Sequence, residues 1–89
     1  MRAVITVIGK DTTGIIAKVS NMLFENNINI LDISQTVLQD FFTMIMIVDI
    51  EKSSIKFEDM LNQLNMLGKE MGLSIRMQHE DIFNSMHNI

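Results

Sequence analysis

Residues 2–20, RAVITVIGKDTTGIIAKVS, contain the change of pattern that decides the fold. The run from Arg2 to Ile8 is almost entirely apolar and rich in β-branched residues, which predicts a strand buried on both faces and therefore central in a sheet. Gly9–Thr13 is a cluster of turn-forming residues. From Gly14 to Asn26 the apolar residues recur every three or four positions, which predicts an amphipathic helix with a loop threonine as its N-cap.

The remainder of the chain repeats this alternation of strands and helices. Downstream, the patterns predict two strands, a helix and a further strand, at Ile28–Leu38, Phe41–Ile50, 55–71 and Leu73–His79. The two residues between the first two strands favour a hairpin, and Gly72 ends the helix. The order β-α-β-β-α-β with right-handed crossovers predicts an α+β, ferredoxin-like sandwich: a four-stranded antiparallel sheet with two helices on one face.

A short C-terminal helix is expected after the last strand. Its apolar residues at helical spacing are Ile82, Phe83, Met86 and Ile89. We therefore assign residues 1–79 to the domain and 80–89 to a helical tail that packs on the domain or on a partner subunit.

Composition limits the classes of function. Eighty-nine residues make one domain and leave no room for a separate catalytic domain, so we expect no enzyme. A net charge of −4 argues against nucleic acid as a partner, and no apolar stretch is long enough for a membrane span. The absence of Cys excludes thiolate metal sites and disulfides and favours the cytoplasm. A mean hydropathy of +0.22 is high for so small a domain and indicates a homo-oligomer, a dimer or a dimer of dimers.

The strand from Phe41 to Ile50 is apolar on both faces. Its even-numbered residues are expected to face the helices. Phe41, Ile45 and Ile47 then point away from them, and burying each would stabilise an assembly by about 1.5–3 kcal/mol at most. Either a second copy or the C-terminal tail is expected to cover these three side chains, and both arrangements are compatible with the sequence.

The loop sequence carries a family resemblance. The run D-x-x-G-I-I-A-K-V-S from Asp11 to Ser20, with Asn29 fifteen residues after Gly14, resembles the ACT domain, a small-molecule regulatory module of ferredoxin-like fold. The tail at 79–87, HEDIFNSMH, is similar to that of small stand-alone bacterial ACT proteins. The resemblance implies a non-catalytic sensor that binds an amino acid or similar metabolite between subunits and regulates another protein.

The resemblance also implies site residues. The ligand carboxylate would meet main-chain groups of Gly14 and Ile15, with Asp11 and Thr12 beside it and Asn29 reaching over from the neighbouring subunit. Amide N–H groups suit a carboxylate, Asp11 suits an α-ammonium group, and the Asn29 amide offers both a donor and an acceptor. The chain departs from the family at two positions. Thr13 replaces a common Pro, and Gly9 replaces a polar residue or His of some serine-binding members.

Other functions have weaker support in the sequence. His79 and His87 lack a third metal ligand, so no metal site or cofactor is predicted. RNA-recognition domains share the element order, but the strand Phe41–Ile50 contains no Lys or Arg. An acylphosphatase-like enzyme would need an Arg-bearing phosphate loop, where this chain has Lys10 alone. An interaction module that docks a protein without a metabolite ligand remains the alternative function.

Overall fold

The computed structural model describes residues 1–87, and of His87 only the backbone. Its elements are β1 (Arg2–Lys10), α1 (Ile15–Glu25), β2 (Asn29–Leu38), β3 (Phe41–Asp49), α2 (Phe57–Met71), β4 (Leu73–His79) and α3 (Glu80–His87). The predicted element order is confirmed. The last residue of the predicted tail stripe, Ile89, lies outside the described residues.

The four strands form one antiparallel sheet in the order β2-β3-β1-β4. The predicted ferredoxin-like α+β sandwich is therefore confirmed, with β1 and β3 central and β2 and β4 at the edges. β1 runs two residues further than predicted, because Gly9 and Lys10 continue the ladder opposite Phe42 and Phe41.

The hydrophobic core lies between the sheet and the pair of helices α1 and α2. Alternate residues of the two central strands face it, as period-two alternation requires. The strand residues buried there are Ala3, Ile5, Val7, Phe42, Met44, Met46 and Val48. From the helices, Val19, Leu23, Met60 and Leu64 pack against them, so the methionines at 44, 46 and 60 fill the core.

The edge strand β2 contains a β-bulge at Leu31. Ile30 pairs with Val48 and Asp32 pairs with Ile47, so one extra residue lies between two successive rungs of the ladder. Because paired residues share a face, Ile33 and the odd-numbered residues after it face the helix side, where Ile30 also lies.

α3 packs on the sheet face opposite α1 and α2, which we call the outer face. Among the described residues it contacts β1 and β4 and no other element. Gln78 Nε2 donates to Met86 Sδ at 3.4 Å, and Arg2 Nη2 lies 3.0 Å from Glu80 Oε2. Phe41 stays 59% exposed, so α3 does not cover that part of the outer face.

Candidate functional site

The loop from Asp11 to Gly14 connects the end of β1 to α1. The main-chain N–H of Asp11 donates to the Asp40 carbonyl at 2.7 Å, which ties this loop to the turn between β2 and β3. The side chains of Asp11 and Thr12 are exposed. They are therefore available to a ligand, while the main chain beneath them is held in place.

Gly14 is the N-cap of α1, with a left-handed φ of 88°. An added Cβ there would meet no atom within 4 Å, so a ligand has open access to the main chain. No side chain caps the helix, and the prediction of a threonine N-cap is wrong. The first-turn N–H groups have no partner within the helix, and they form the positive end of its dipole. The arrangement suits a carboxylate.

Ile15 can reach a ligand through its main chain alone. Its side chain is 2% exposed and belongs to the core. The geometry thus brings together four of the five predicted site residues, Asp11, Thr12, Gly14 and Ile15, at one end of the sheet.

Asn29 lies at the opposite end of the sheet. It pairs with Asp49, which pairs in turn with Arg2, whereas the loop follows Lys10 at the other end of β1. From Arg2 to Lys10 β1 spans about 27 Å at the usual rise per residue. Within one chain Asn29 is therefore too far away to share a small ligand with the loop.

Asn29 lines an open recess of about 350 Å³. Its other lining residues are Phe24, Asn27, Ile28, Asp49 and Lys52. Phe24 is 80% exposed, so the recess presents an aromatic ring beside charges of both signs. No pattern in the sequence indicates that Asp49 and Lys52 stand beside Asn29.

Asp49 is held in its ionised form. The Glu51 main-chain N–H donates to Asp49 Oδ1 at 3.0 Å and, with the N-terminal ammonium 3.6 Å from the same oxygen, lowers the pKa of Asp49 below its ordinary 3.8. Asn27 Nδ2 donates to the Lys52 carbonyl at 2.9 Å and orders the recess floor.

Gly9 has no room for a side chain. A Cβ there would lie 2.6 Å from Leu73 Cδ2 and 3.2 Å from the Gly72 carbonyl oxygen. The polar or His side chain of some serine-binding members therefore has space here only if the Leu73 side chain turns away and the main chain of Gly72 and Leu73 gives by a few tenths of an ångström.

The histidines do not form a metal site within the described part of the chain. The side chains of residues 1–86 contain no group of three or more His, Asp or Glu that could hold a metal ion. The His79 ring stacks on Phe57 with centroids 4.2 Å apart. The side chain of His87 lies outside the described residues.

The chain combines a βαββαβ sandwich with an open glycine loop ahead of its first helix. The ACT domain family model matches residues 2–78, and the chain belongs to this family. A UPF0237 protein of Clostridium acetobutylicum is 54% identical over 89 residues, all of both chains. An ACT domain protein from Streptococcus pneumoniae is 41% identical, with a TM-score of 0.81 over 93% of each chain.

The regulatory subunit of aspartate kinase from Thermus thermophilus has a similar fold. It is 28% identical, with a TM-score of 0.66 over 86% of this chain and 50% of that one. Within residues 1–87, no helix is both long and apolar enough to cross a membrane.

Proposed function

We propose that the protein is a cytoplasmic, non-catalytic ACT regulator. It binds an amino acid or similar small metabolite at a subunit interface and signals to a partner protein in amino-acid metabolism. In this proposal residues 1–79 form the ligand-binding domain and 80–89 a helical tail. Membership in the ACT family and the likeness to a regulatory subunit of aspartate kinase support the class of function.

The edge strand β2 is the proposed subunit interface. It is ten residues long, and apart from half-buried Ile30 all its residues are exposed. On its helix side, Ile33 is 39% and Val37 51% exposed, because α1 does not reach over them. A long apolar strand with an unpaired edge is a template for pairing with a second copy.

The placement of Asn29 carries the proposal. If two β2 strands pair antiparallel about a two-fold axis at their centre, the Asn29 end of one lies beside the Leu38 end of the other. Leu38 is two residues from Asp40, which binds the loop at Asp11. The same pairing that buries Ile33 and Val37 therefore brings Asn29 of one copy to the Gly14 loop of the other.

The combined site suits a zwitterion. The α1 N-terminal amides bind a carboxylate, and Asp11 from one side or Asp49 from the other can bind an ammonium group. Asn29 donates and accepts between them. Phe24 supplies an apolar surface for a side chain. Because each site takes groups from two copies, ligand binding is coupled to the dimer, and couplings of 1–3 kcal/mol are usual for allosteric devices.

The test is thermal unfolding by dye fluorescence with each of the twenty amino acids at millimolar concentration. A ligand that binds the folded dimer raises its melting temperature by mass action. At a ligand concentration of one hundred times Kd, the free energy of unfolding rises by about 2.7 kcal/mol. Gly14→Leu should abolish this shift, because its side chain fills the space above the loop and strains a left-handed position.

Gly72→Leu is the matched control. Gly72 also has a positive φ, 70°, and no atom within 4 Å of an added Cβ, but it caps α2 and lies on the β4 side of the sheet. Both variants lose stability from backbone strain, and Gly72→Leu should keep the ligand shift. A flat response of the unmodified protein to all twenty amino acids would favour an interaction module without a ligand. Retained binding in Gly14→Leu would show that the loop is not the site.

A further inference from the structure

The outer face is only half covered by the protein's own α3. This helix lies over β1 and β4, and the β2–β3 half carries no element among residues 1–87. The large apolar side chains exposed there and along its border are Leu38 at 72%, Phe41 at 59%, Ile45 at 38% and Ile8 at 48%. We call this β2–β3 half the uncovered strip, and Asp32, Ser34, Thr36 and Thr43 also face outward on it.

The uncovered strip has the width of one helix. Strands lie about 4.8 Å apart, so two of them occupy about 10 Å, and an α-helix with its side chains is about 10–12 Å across. The opposite face of the same four strands carries two helices, α1 and α2. The outer face therefore has space for a second helix beside α3.

α3 is apolar on more than the side that touches its own sheet. Phe83 is half-buried and lines the groove with residues of β1 and β4 and with Ile45 of β3, whereas Ile82 is 51% and Met86 66% exposed. If α3 of one copy lies on the uncovered strip of a second copy, the contact buries the exposed apolar side chains of α3 and those of the strip together.

We propose that two copies of the chain stack through their outer faces, with the α3 of each lying on the β2–β3 strip of the other. A two-fold axis parallel to the strands produces this arrangement, because it places β2 and β3 of one sheet opposite β1 and β4 of the next. The two α3 helices then lie side by side between the sheets. The contact is isologous and closes at two copies.

The stacking uses neither the β2 edge nor the Gly14 loop. It is therefore independent of the proposed function. The β2 pairing axis lies at the edge of the sheet and the stacking axis runs along its middle, so the two axes do not intersect. A protein that has both interfaces therefore forms an open array, and one that has only the stacked interface is a dimer without the ligand site.

Disulfide trapping tests the stacking directly, because the natural chain contains no Cys. Met86 lines the groove with Ile8, which pairs with Thr43, two residues from Phe41. Because the two-fold axis runs along the strands, residues at the same height along the strand direction lie opposite each other in the two copies. When Met86→Cys and Phe41→Cys proteins are mixed and mildly oxidised, a cross-linked heterodimer is expected. Since each protein carries one Cys, the heterodimer bond joins two chains.

Met66→Cys mixed with Phe41→Cys is the control. Met66 is 70% exposed, close to the 66% of Met86, but it lies on α2 at the other side of the sheet. Ile82→Cys is mixed with Phe41→Cys in the same way as Met86→Cys. If neither mixture cross-links more than the control, the stacking is overturned. By sedimentation, Phe41→Asp should weaken self-association at least tenfold relative to Met66→Asp, and equal association of the two variants would also overturn it.

Discussion

Replacing Gly68 by alanine separates helix propensity from packing in α2. Gly68 is buried and lies against β4. A Cβ added there would lie 2.6 Å from the Leu73 carbonyl oxygen and 3.4 Å from Ile75 Cγ1. The closest atom belongs to the main chain of β4 and cannot rotate away, so α2 must move off the sheet.

The two effects have opposite signs. Alanine gains about 1 kcal/mol over glycine in a helix interior. Overpacking a well-filled core costs about 1–3 kcal/mol, and contact with rigid main chain belongs at the upper end of this range. The expected net loss for Gly68→Ala is about 2 kcal/mol in the free energy of unfolding, or about 8–16 °C in melting temperature for a domain of this size.

Urea unfolding followed by circular dichroism at a fixed protomer concentration measures this loss. Fixed concentration is required because association adds to the apparent stability. Asn65→Ala, at an exposed position of the same helix, is the control and should be neutral or stabilising by a few tenths of a kcal/mol. If Gly68→Ala proved as stable as the natural protein, the close approach of α2 to β4 would be refuted. Ligand binding should survive the substitution, since Gly68 packs on β4, the edge of the sheet opposite to the proposed β2 interface.

Three further substitutions have defined outcomes. Buried Asn26 donates to Gln63 Oε1 at 2.9 Å and to the Met22 carbonyl at 2.8 Å, so Asn26→Ala should cost about 1–3 kcal/mol by urea unfolding. Leu23→Ala should cost about 2–5 kcal/mol in the same assay, because Leu23 is fully buried. The lowered pKa of Asp49 means that its carboxylate stabilises the fold above the unfolded-state value of 3.8, and that this contribution is lost as the pH falls through the lower folded-state value. Asp49→Asn should therefore flatten the acid end of the stability profile, and an unchanged profile would contradict the proposed role of the Glu51 N–H.

Most of the fold follows from periodicity in the sequence. The apolar runs from Arg2 to Ile8 and from Phe41 to Ile50 indicate the two central strands, and helical spacing indicates α1 and α2. The helix caps were less predictable. Lys56 is the N-cap of α2 without a side-chain bond, and Ser53 bonds the main chain of Ile55. A cap depends on the angle at which the chain enters the helix, which local sequence does not determine.

The neighbours of Asn29 could not be predicted from the sequence. With a two-residue turn after Leu38, an unbroken ladder would pair Asn29 with Ile50. The bulge at Leu31 shifts the pairing by one residue and places Asp49 opposite Asn29. The extra residue has no signature in the sequence beyond a run of apolar residues that breaks the alternation. The loop residues were easier to find, because the run from Asp11 to Ser20 carries the resemblance to the ACT domain.

The bulge also constrains how β2 can change during evolution. Ile30 and Asp32 pair with the successive residues Val48 and Ile47, so a chain that lost Leu31 would have a regular ladder with all the remaining side chains of β2 on their present side of the sheet. With the bulge retained, loss of one residue between Asp32 and Leu38 would instead turn the side chains on one side of the lost residue to the opposite face. Length variants by one residue are therefore expected at Leu31, and elsewhere in steps of two residues. The length of β2 should vary less among relatives than its composition.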